Sequence, residues 1–561
     1  MRTPAALEPL NGPVFRALWF ASLAANMTMW MNDVAAAWLM TSLTTSPVMV
    51  ALVQTASTLP VFLLGIGSGA IADTVDRRRY FAATQAWVSI TALVLAGLSM
   101  SGQLTAPLLL ALTFVNGIGL AMRWPVFAGI VPQVVTRDQL PAALALNGIS
   151  MNLSRVIGPV AAGALISLVS PAAVFALNAV LAAVSMVLIL RWRSVRASSP
   201  LPGERFIGAL RTGLAFAGQS PQFKQVLLRI FLFFIQASAL SAMLPLVARQ
   251  LHGGGPATYT LMLSCLGGGA IIAALLFPRW RARYNRDQFI AYGSLVQAAL
   301  STLIVTSSEV WIALPAMVVL GMAWISVANS LTISAQSMLP DWVRARGMSI
   351  YQTAMMGGAA AGSLLWGQVA SFTGVRDAVL LAAAFGVLVW LLMRKRSMER
   401  DVEFDFTPAP RGVLPEPTIP IGPDDGPVMV TIEYQIEPAR AVDFAAVMQR
   451  TRQARLRQGA LSWGLFRDAA QLGHYIEYFV DENWVEHQRR LERFTASDAD
   501  LRNQRRAFHT GPADPELRRF VGNAMDPLPA PPAAPGGAAA QSTAPGGAAN
   551  QSTTPGGAAA P

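Results

Sequence analysis

The sequence predicts an all-α membrane protein with twelve transmembrane helices in two six-helix halves, followed by a small cytoplasmic α+β domain with a ferredoxin-like fold and a disordered tail. Three observations support this fold class: apolar stretches of span length recur, basic residues cluster in alternate loops, and the composition changes after residue 396. Of the 561 residues, 53% are hydrophobic and only 13% are charged, whereas soluble proteins carry about 25% charged residues. One large soluble enzyme is therefore disfavoured.

The formal net charge of +11 is unevenly distributed. Residues 1–396 carry 26 basic and 10 acidic side chains, and the rest of the chain carries 16 basic and 21 acidic ones. The basic excess therefore belongs to the membrane part, where it determines topology, and we predict no nucleic-acid partner. The single cysteine, Cys265, excludes an intrachain disulfide, and no Cys/His spacing predicts a metal site.

Each predicted span provides the roughly 20 apolar residues that a bilayer core of about 30 Å requires. The spans are 15–40, 48–72, 80–101, 106–131, 142–170, 172–192, 225–248, 259–277, 289–307, 311–339, 349–371 and 375–393. Basic residues follow every second span, and the alternate loops carry only Arg249 and Arg376. By the positive-inside rule, both termini are cytoplasmic. The N-terminal run leads into a segment of span length, so we do not expect a cleavable signal peptide.

The long loop after span six divides the spans into two halves. The predicted order is a cytoplasmic N-terminus (1–14), an N-terminal bundle (15–192), a cytoplasmic central loop (193–224), a C-terminal bundle (225–396), a linker (397–427), the ferredoxin-like domain (428–521) and a Pro/Ala/Gly repeat tail (522–561). Within the central loop, residues 204–219 are predicted to form an amphipathic helix on the inner membrane surface. GSGAIADTVDRRR after span two is echoed by GGGAIIAALLFPRWRARYNRD after span eight, and such repeated halves are typical of secondary transporters.

The loop after span two combines a glycine, two aspartates and three arginines. They are Gly69, Asp73, Asp76, Arg77, Arg78 and Arg79. The segment resembles the cytoplasmic loop 2–3 signature of the major facilitator superfamily, G-x-x-x-D-R-x-G-R-R, with Thr74 where arginine is usual and Asp76 where glycine is usual. The resemblance implies a cytoplasmic gate, in which Asp73 caps a helix of the other half or meets its arginines. The alternative is that the charges of this loop only follow the positive-inside rule and have no gating role.

Span five contains Gly158, Pro159 and Gly163, which allow a kinked and closely packed helix. This stretch resembles the Gly-Pro antiporter motif of exporters in the superfamily, although packing alone would also explain it. RWPVFAGIVPQVVTRDQLPAALALNGISMNLSRVIGP and LPDWVRARGMSIYQTAMMGGAAAGSLLWG resemble the bacterial transmembrane secretion effectors, the branch related to the enterobactin exporter. The resemblance covers about residues 10–395 and implies a multi-pass transporter of the bacterial inner membrane. Thr113 stands where drug–proton antiporters carry an arginine.

Three ionisable groups lie deep within predicted spans: Asp33, Arg123 and Arg155. An unpaired charge at mid-bilayer costs about 2.5–3.5 kcal/mol on insertion scales, so these groups should face an internal cavity. Asp33 and Arg123 differ in depth by roughly 15 Å at the helical rise, which makes Arg155 the better partner for Asp33. We predict that Asp33 carries the proton and that Arg155 and the cargo change its pKa. A static Asp–Arg pair that fixes packing is the alternative.

Polar side chains within the spans are candidates to line the cavity. They are Asn26, Trp30, Asn32, Asn116, Asn147, Asn152, Gln236, Asn329, Gln336 and Gln352. Each amide has interhelical hydrogen bonding as its alternative. Met27, Met29, Met31, Trp324, Met355 and Met356 would add adaptable apolar surface.

Residues 428–521 have the predicted order βαββα with a further helical stretch. The pattern, including Trp484-Val-Glu-His487, resembles the dimeric antibiotic-biosynthesis-monooxygenase-like α+β barrels. We predict no catalytic residues here, and a sensing, dimerising or stabilising role instead. No Walker loop is present in the sequence.

The sequence therefore predicts a secondary transporter that exports a small amphipathic metabolite, siderophore or drug against inward proton flow, with no cofactor besides the proton gradient. An importer or facilitator on the same scaffold is one alternative. A membrane-anchored oxygenase that acts through the C-terminal domain is another. The expected partners are the lipid bilayer, a small-molecule substrate and, through residues 428–521, a second copy of the chain.

Overall fold

The computed structural model describes residues 5–136, 138–191, 206–281, 283–394, 405, 407, 409 and 417–522. The predicted disordered tail, apart from residue 522, lies outside the described residues, as do residues 193–205 of the central loop and most of the linker.

The described residues of the first part of the chain, up to position 394, form twelve long helices and one shorter helix. After a 3-10 turn, Ala5–Asn11, they are α1 (Pro13–Leu43), α2 (Pro47–Thr74), α3 (Arg77–Met100), α4 (Ala106–Val134), α5 (Leu140–Leu168), α6 (Pro171–Leu190), the shorter α7 (Phe206–Gln219), α8 (Pro221–Gln250), α9 (Pro256–Arg281), α10 (Arg286–Thr306), α11 (Val310–Ser337), α12 (Asp341–Thr373) and α13 (Val375–Met393). Five of them begin at a proline, whose fixed φ suits the first turn and whose missing N–H is not needed there.

Ten of the described helices are long and apolar enough to cross a membrane, which confirms a multi-pass membrane protein. The two long helices that fall short are α1 and α12. Both contain polar side chains along their length, including Asn26, Asn32 and Asp33 in α1 and Arg344 and Arg346 near the start of α12.

The long helices form two bundles, α1–α6 and α8–α13. Within the first, α1 and α3 pack against α6, and α2 packs against α4; within the second, α9 and α10 pack against α11, and α8 packs against α12. The bundles meet chiefly where α2 packs against α12 and α5 packs against α9. We call the end of the bundle where α7 and residues 417–522 lie the domain end, and the opposite end the far end.

The hydrophobic core differs between these two ends. At the far end, one buried cluster joins both bundles and includes Met31, Val50, Leu244, Tyr259 and Ala370. Towards the domain end, the described buried residues form separate clusters for the C-terminal bundle and for the N-terminal bundle. Among the described residues, the two bundles therefore share one core at the far end and have separate core clusters towards the domain end.

The C-terminal domain contains a four-stranded antiparallel sheet with the order β2-β3-β1-β4. Its strands are β1 (Val428–Gln435), β2 (Ser462–Arg467), β3 (His474–Asp481) and β4 (Leu517–Val521), and its helices are α14 (Ala441–Arg457), α15 (Trp484–Glu492) and α16 (Ala496–Arg506). The three predicted strands and the predicted helices are present. The fourth strand was not predicted, because its five residues include two arginines and carry little apolar alternation.

Candidate functional site

The centre of the membrane part holds an arginine between two tryptophans from different bundles. The Arg155 guanidinium carbon on α5 lies 5.3 Å from the ring centroid of Trp30 on α1. It lies 4.8 Å from the ring centroid of Trp324 on α11. Both distances are within the range of a cation–π interaction, so a single charged side chain links the N-terminal and C-terminal bundles.

This cluster contains several hydrogen-bond donors that have no acceptor. Arg155 Nε and Nη1 and Trp30 Nε1 are buried without a hydrogen-bond partner. The expected pairing of Arg155 with Asp33 is wrong for this conformation: the described residues contain no ion pair between them, and Asp33 Oδ1 is also buried without a partner. Sequence position and helical rise give the depth of Asp33 and Arg155 in the membrane. They do not give the direction in which each side chain leaves its helix, and that direction decides whether the two meet.

Arg123 faces the same helix as Arg155. Its Nη2 donates to Asn26 Oδ1 at 3.0 Å, while its Nη1 is buried without a partner. Asn26 and Trp30 are one helical turn apart on α1, so they share a face. Two arginines thus approach one face of α1, and neither forms an ion pair with a described carboxylate.

Contacts between the bundles close the far end. Trp38 on α1 stacks on Tyr259 of α9 with centroids 5.9 Å apart, and the Arg249 guanidinium lies 4.7 Å from the Trp38 ring centroid. Ser241 Oγ donates to Gln54 Oε1 at 3.1 Å across the same interface. Asp33 lies on α1 between Trp30 and Trp38, which places it between the central cluster and this closed end.

The predicted cavity amides have different surroundings. Gln236 Nε2 donates to the Ser294 carbonyl at 3.3 Å. Gln236 therefore forms an interhelical hydrogen bond, which was the alternative to lining the cavity. Asn32 and Asn116 are buried, and each has one side-chain atom without a partner. The remaining described amides are the half-buried Asn147, Asn329 and Gln352 and the exposed Gln336. The side chain of Asn152 lies outside the described residues.

The segment around the loop 2–3 signature is described only in part. Asp76 is the N-cap of α3, where its Oδ1 accepts from the backbone N–H groups of Arg78 at 2.9 Å and Arg79 at 3.2 Å. This explains an aspartate at a position where the signature has glycine, because a capping carboxylate satisfies amides that the helix leaves free. The burial of Gly69 and the side chain of Asp73 lie outside what the structure describes, so the gate stays a prediction.

The glycines of span five lie at close helix contacts. A Cβ on Gly158 would come within 2.8 Å of Trp30 Cβ, and one on Gly163 would overlap the side chain of Thr260 on α9. Gly158 therefore lets α5 approach α1 beside the arginine cluster, and Gly163 lets α5 approach the other bundle.

Helix α7 connects the membrane part to the C-terminal domain. Phe216 is buried and packs edge-on against Trp342 of α12, with centroids 5.9 Å apart. The Arg457 and Arg493 guanidiniums of the domain lie over the rings of Phe216 and Trp342, and Arg211 forms an ion pair with Glu482. The C-terminal domain therefore packs on α7, a contact that the prediction of an amphipathic helix on the inner membrane surface did not include.

The histidines of the domain have structural partners. His487 Nδ1 pairs with Asp481 Oδ2 at 2.8 Å, and Arg490 also bonds this carboxylate. Burial lowers the pKa of His487, although the bond to Asp481 opposes that shift. The described residues contain no His/Cys/Asp/Glu group that would hold a metal ion.

Two features of the site were not predicted from the sequence. Trp324 was expected only as general apolar surface, and its contact with Arg155 depends on how the two bundles face each other. The docking of the domain on α7 depends on Arg457 and Arg493, which look like ordinary surface arginines in the sequence.

The chain matches known transporters. The model of a family described as transmembrane secretion effector matches residues 4–526. The chain is 20% identical over 251 residues to a staphyloferrin A transporter of Staphylococcus aureus, which covers 45% of this chain and 63% of that protein. It is 21% identical over 291 residues to macrolide efflux protein A of Streptococcus pyogenes, which covers 51% of this chain and 71% of that protein.

Solved structures share the fold. The nucleoside transporter NupG has a TM-score of 0.56 at 12% identity, over 70% of this chain and 100% of that chain. The human organic anion transporter MFSD10 has a TM-score of 0.51 at 16% identity, over 70% of this chain and 100% of that chain. The fold and the relatives are those of a transporter rather than of an enzyme.

Proposed function

The chain belongs to the transmembrane secretion effector family, within the transporters of the major facilitator superfamily, and we propose that it is a proton-coupled secondary exporter of a small amphipathic metabolite, siderophore or drug. The observation that carries this proposal is the cluster of charged groups with unpaired buried atoms between two bundles whose described residues share a core at the far end. Such a centre is accessible from one side at a time if the bundles rock about it, which is the basis of alternating access.

The proposal includes the orientation of the chain in the membrane. All twelve long helices cross the membrane, including α1 and α12, and both termini are cytoplasmic. The domain end then faces the cytoplasm, and the far end, closed by Trp38, Tyr259 and Arg249, faces outwards. The conformation described here is therefore the inward-facing one, ready to receive cargo from the cytoplasm. The name of the macrolide efflux relative supports export as the direction.

We assign the proton to Asp33. Its carboxylate has an unpaired oxygen and lies between the central cluster and the closed far end, where a rocking motion changes its access to water. In proteoliposomes with a pH gradient, Asp33→Asn should reduce proton-driven efflux by at least about tenfold and remove its pH dependence, because a neutral amide cannot exchange a proton.

Asp377→Asn is the matched control for this assay, since Asp377 lies in the first turn of α13, away from the central cluster. It should keep wild-type efflux. Wild-type pH dependence in the Asp33 variant, at equal expression, would contradict the proton-carrier role.

The C-terminal domain has a supporting role in this proposal. Its strand order and its helices fit a ferredoxin-like module of the monooxygenase-like barrel type. The open face of its sheet presents a stacked pair, Phe466 of β2 and Tyr478 of β3, with ring centroids 5.5 Å apart, and the exposed Phe520 on β4, two strands away from Tyr478. We propose that this face binds the same domain of a second copy and that the domain is not catalytic.

A further inference from the structure

We infer that Arg155, together with Trp30 and Trp324, binds an anionic oxygen group of the cargo, and that the cargo is therefore an organic carboxylate with an apolar or aromatic portion. The inference rests on the proposed transport function and adds the class of substrate. It depends on three properties of this cluster: the unfilled hydrogen-bonding capacity, the missing counter-charge and the two indole rings.

The unfilled capacity at the cluster consists of donors. Arg155 Nε, Arg155 Nη1 and Trp30 Nε1 are all buried N–H groups without an acceptor. A buried donor left without a partner is costly, and the cost is larger when the donor is charged. The group that completes this site must therefore accept several hydrogen bonds at once, as a carboxylate does.

The charge of the site is also uncompensated. The described residues place no carboxylate in an ion pair with Arg155, and Arg123, on the same face of α1, has a second unpaired donor in Nη1. Charged groups within a membrane bundle pair with a partner or face water. Because no described carboxylate serves as counter-ion to these two guanidiniums, an anionic cargo is the group that we expect to supply it.

The geometry of guanidinium favours a planar oxyanion. Its N–H groups lie in one plane as a fork that matches the two oxygens of a carboxylate, whereas the aromatic contacts use the faces of the plane. Trp30 and Trp324 also provide apolar ring surface next to the charge, within 5.3 Å and 4.8 Å of the guanidinium carbon. An acidic group attached to an apolar or aromatic body fills both parts of this site.

The cluster also spans the two bundles, which connects binding with movement. Trp30 belongs to the N-terminal bundle and Trp324 to the C-terminal one, while Arg155 lies on α5, which packs against both α1 and α9. A carboxylate bound to Arg155 thus contacts the point about which the bundles would rock.

The test compares isosteric probes on the full chain in phosphatidylcholine nanodiscs. The probes are 1-naphthoate and its neutral isostere 1-naphthamide, and their binding is measured by equilibrium dialysis. We expect 1-naphthoate to bind the wild type about tenfold more tightly than 1-naphthamide, because charge-assisted hydrogen bonds are the stronger ones. Arg155→Gln should bring the two affinities to within about twofold of each other, and Arg155→Lys should restore only part of the preference.

The matched control is Arg394→Gln, since Arg394 also lies over a tryptophan ring, that of Trp390, at the end of α13. It should keep the wild-type preference. Binding of 1-naphthamide to each variant shows that the variant is folded. A preference for 1-naphthoate that survives Arg155→Gln in folded protein would overturn the inference.

A lipid phosphate group is the other possible source of the anionic oxygens that would bind to Arg155. Replacing part of the phosphatidylcholine by phosphatidylglycerol should leave 1-naphthoate binding unchanged, and its loss would overturn the assignment to cargo. The carboxylate site and the export function can be refuted independently of each other. Proton-driven efflux of neutral compounds without an Arg155-dependent carboxylate preference would refute only the site, whereas Arg155-dependent binding without any proton-driven efflux would refute only the transport proposal.

Discussion

At the scale of single residues, the two parts of the molecule differ in whether a buried charge has a charged partner. In the C-terminal domain, Glu477 is fully buried and accepts from Tyr434 Oη at 2.9 Å, Arg455 Nε at 3.1 Å and Trp463 Nε1 at 3.1 Å. Burial alone would raise the pKa of Glu477, but the Arg455 and Arg505 guanidiniums and these hydrogen bonds hold it at about 2. Among the described residues, Arg155 in the membrane part has no carboxylate partner. The fully paired charge serves stability, and the unpaired one is available for a ligand.

Because of Glu477, the free energy of unfolding of the domain should decrease as the pH becomes acidic. Its folded pKa of about 2 lies below the ordinary 4.5, so its contribution is complete above about pH 4.5 and is lost as the pH falls towards 2. The shift corresponds to about 3 kcal/mol. Glu477→Gln should destabilise the domain by about 3–5 kcal/mol at pH 7, because two guanidiniums lose their buried counter-charge.

Pulse proteolysis of the full chain in urea, followed on the band of the C-terminal domain, measures this change. Glu516→Gln is the control, since Glu516 pairs with Arg518 in an exposed position and should matter little. Equal urea midpoints for the Glu477 variant and the wild type would refute the prediction.

The charged residues deep in the spans could be predicted from the sequence, but their partners could not. Asp33, Arg123 and Arg155 were found because charged residues are rare in apolar spans, and that rarity is visible in the sequence. Their partners were not found, since a partner depends on helix rotation and on the approach of other helices. The contact of Arg155 with Trp324 crosses from one bundle to the other, and no pattern within either helix reports it.

At the scale of elements, small residues decide how closely the helices of the two bundles approach. Gly163 of α5 lies against Thr260 of α9, and Gly158 lies against Trp30 of α1. Close approach through glycine increases van der Waals contact between membrane helices, which cannot rely on the hydrophobic effect. The apolar length of the helices could be predicted from composition, and so could the presence of glycine in span five. Which helix each glycine faces could not.

We predict that Gly163→Ala loosens the far end, because the added methyl group would overlap Thr260 and separate α5 from α9. Overpacking of this kind costs about 1–3 kcal/mol. In a Cys265→Ser background, nitroxides at positions 168 and 261 should report longer distances by electron–electron double resonance, and the thermal midpoint should fall.

Gly148→Ala, in the same helix, is the matched control. Nothing lies within 4 Å of the position of its added Cβ. Alanine is also the better helix former. This variant should therefore keep the wild-type distances, and a change as large as that of Gly163→Ala would show that helix α5 responds to any added methyl group.

At the scale of the whole molecule, α7 links the domain to both bundles. It packs against α2 of the N-terminal bundle, against α12 of the C-terminal bundle and against α14 of the domain. The sequence predicted its amphipathic character but assigned its apolar face to lipid, since an apolar face looks the same whether lipid or protein covers it. Through α7 the docked domain is connected to α2 and α12, the two helices whose separation at the domain end must change if the bundles rock. Docking and transport should therefore be coupled.

The ion pair between Arg211 and Glu482 provides the means to test this coupling. Arg211→Glu or Glu482→Arg alone places like charges together at the interface, while the double variant restores an opposite pair. Exposed pairs are worth about 0.2–1 kcal/mol, and here their side chains are 47% and 37% exposed. Each single reversal should therefore weaken docking modestly and alter the efflux rate, and the double variant should recover both.

Nitroxides at the exposed Leu472 and Tyr284 would report docking as a distance distribution that broadens in each single variant and narrows again in the double one. Broad distributions with unchanged efflux would show that the domain docks without affecting transport, whereas singles identical to the wild type would show that the aromatic contacts of Arg457 and Arg493 hold the domain alone.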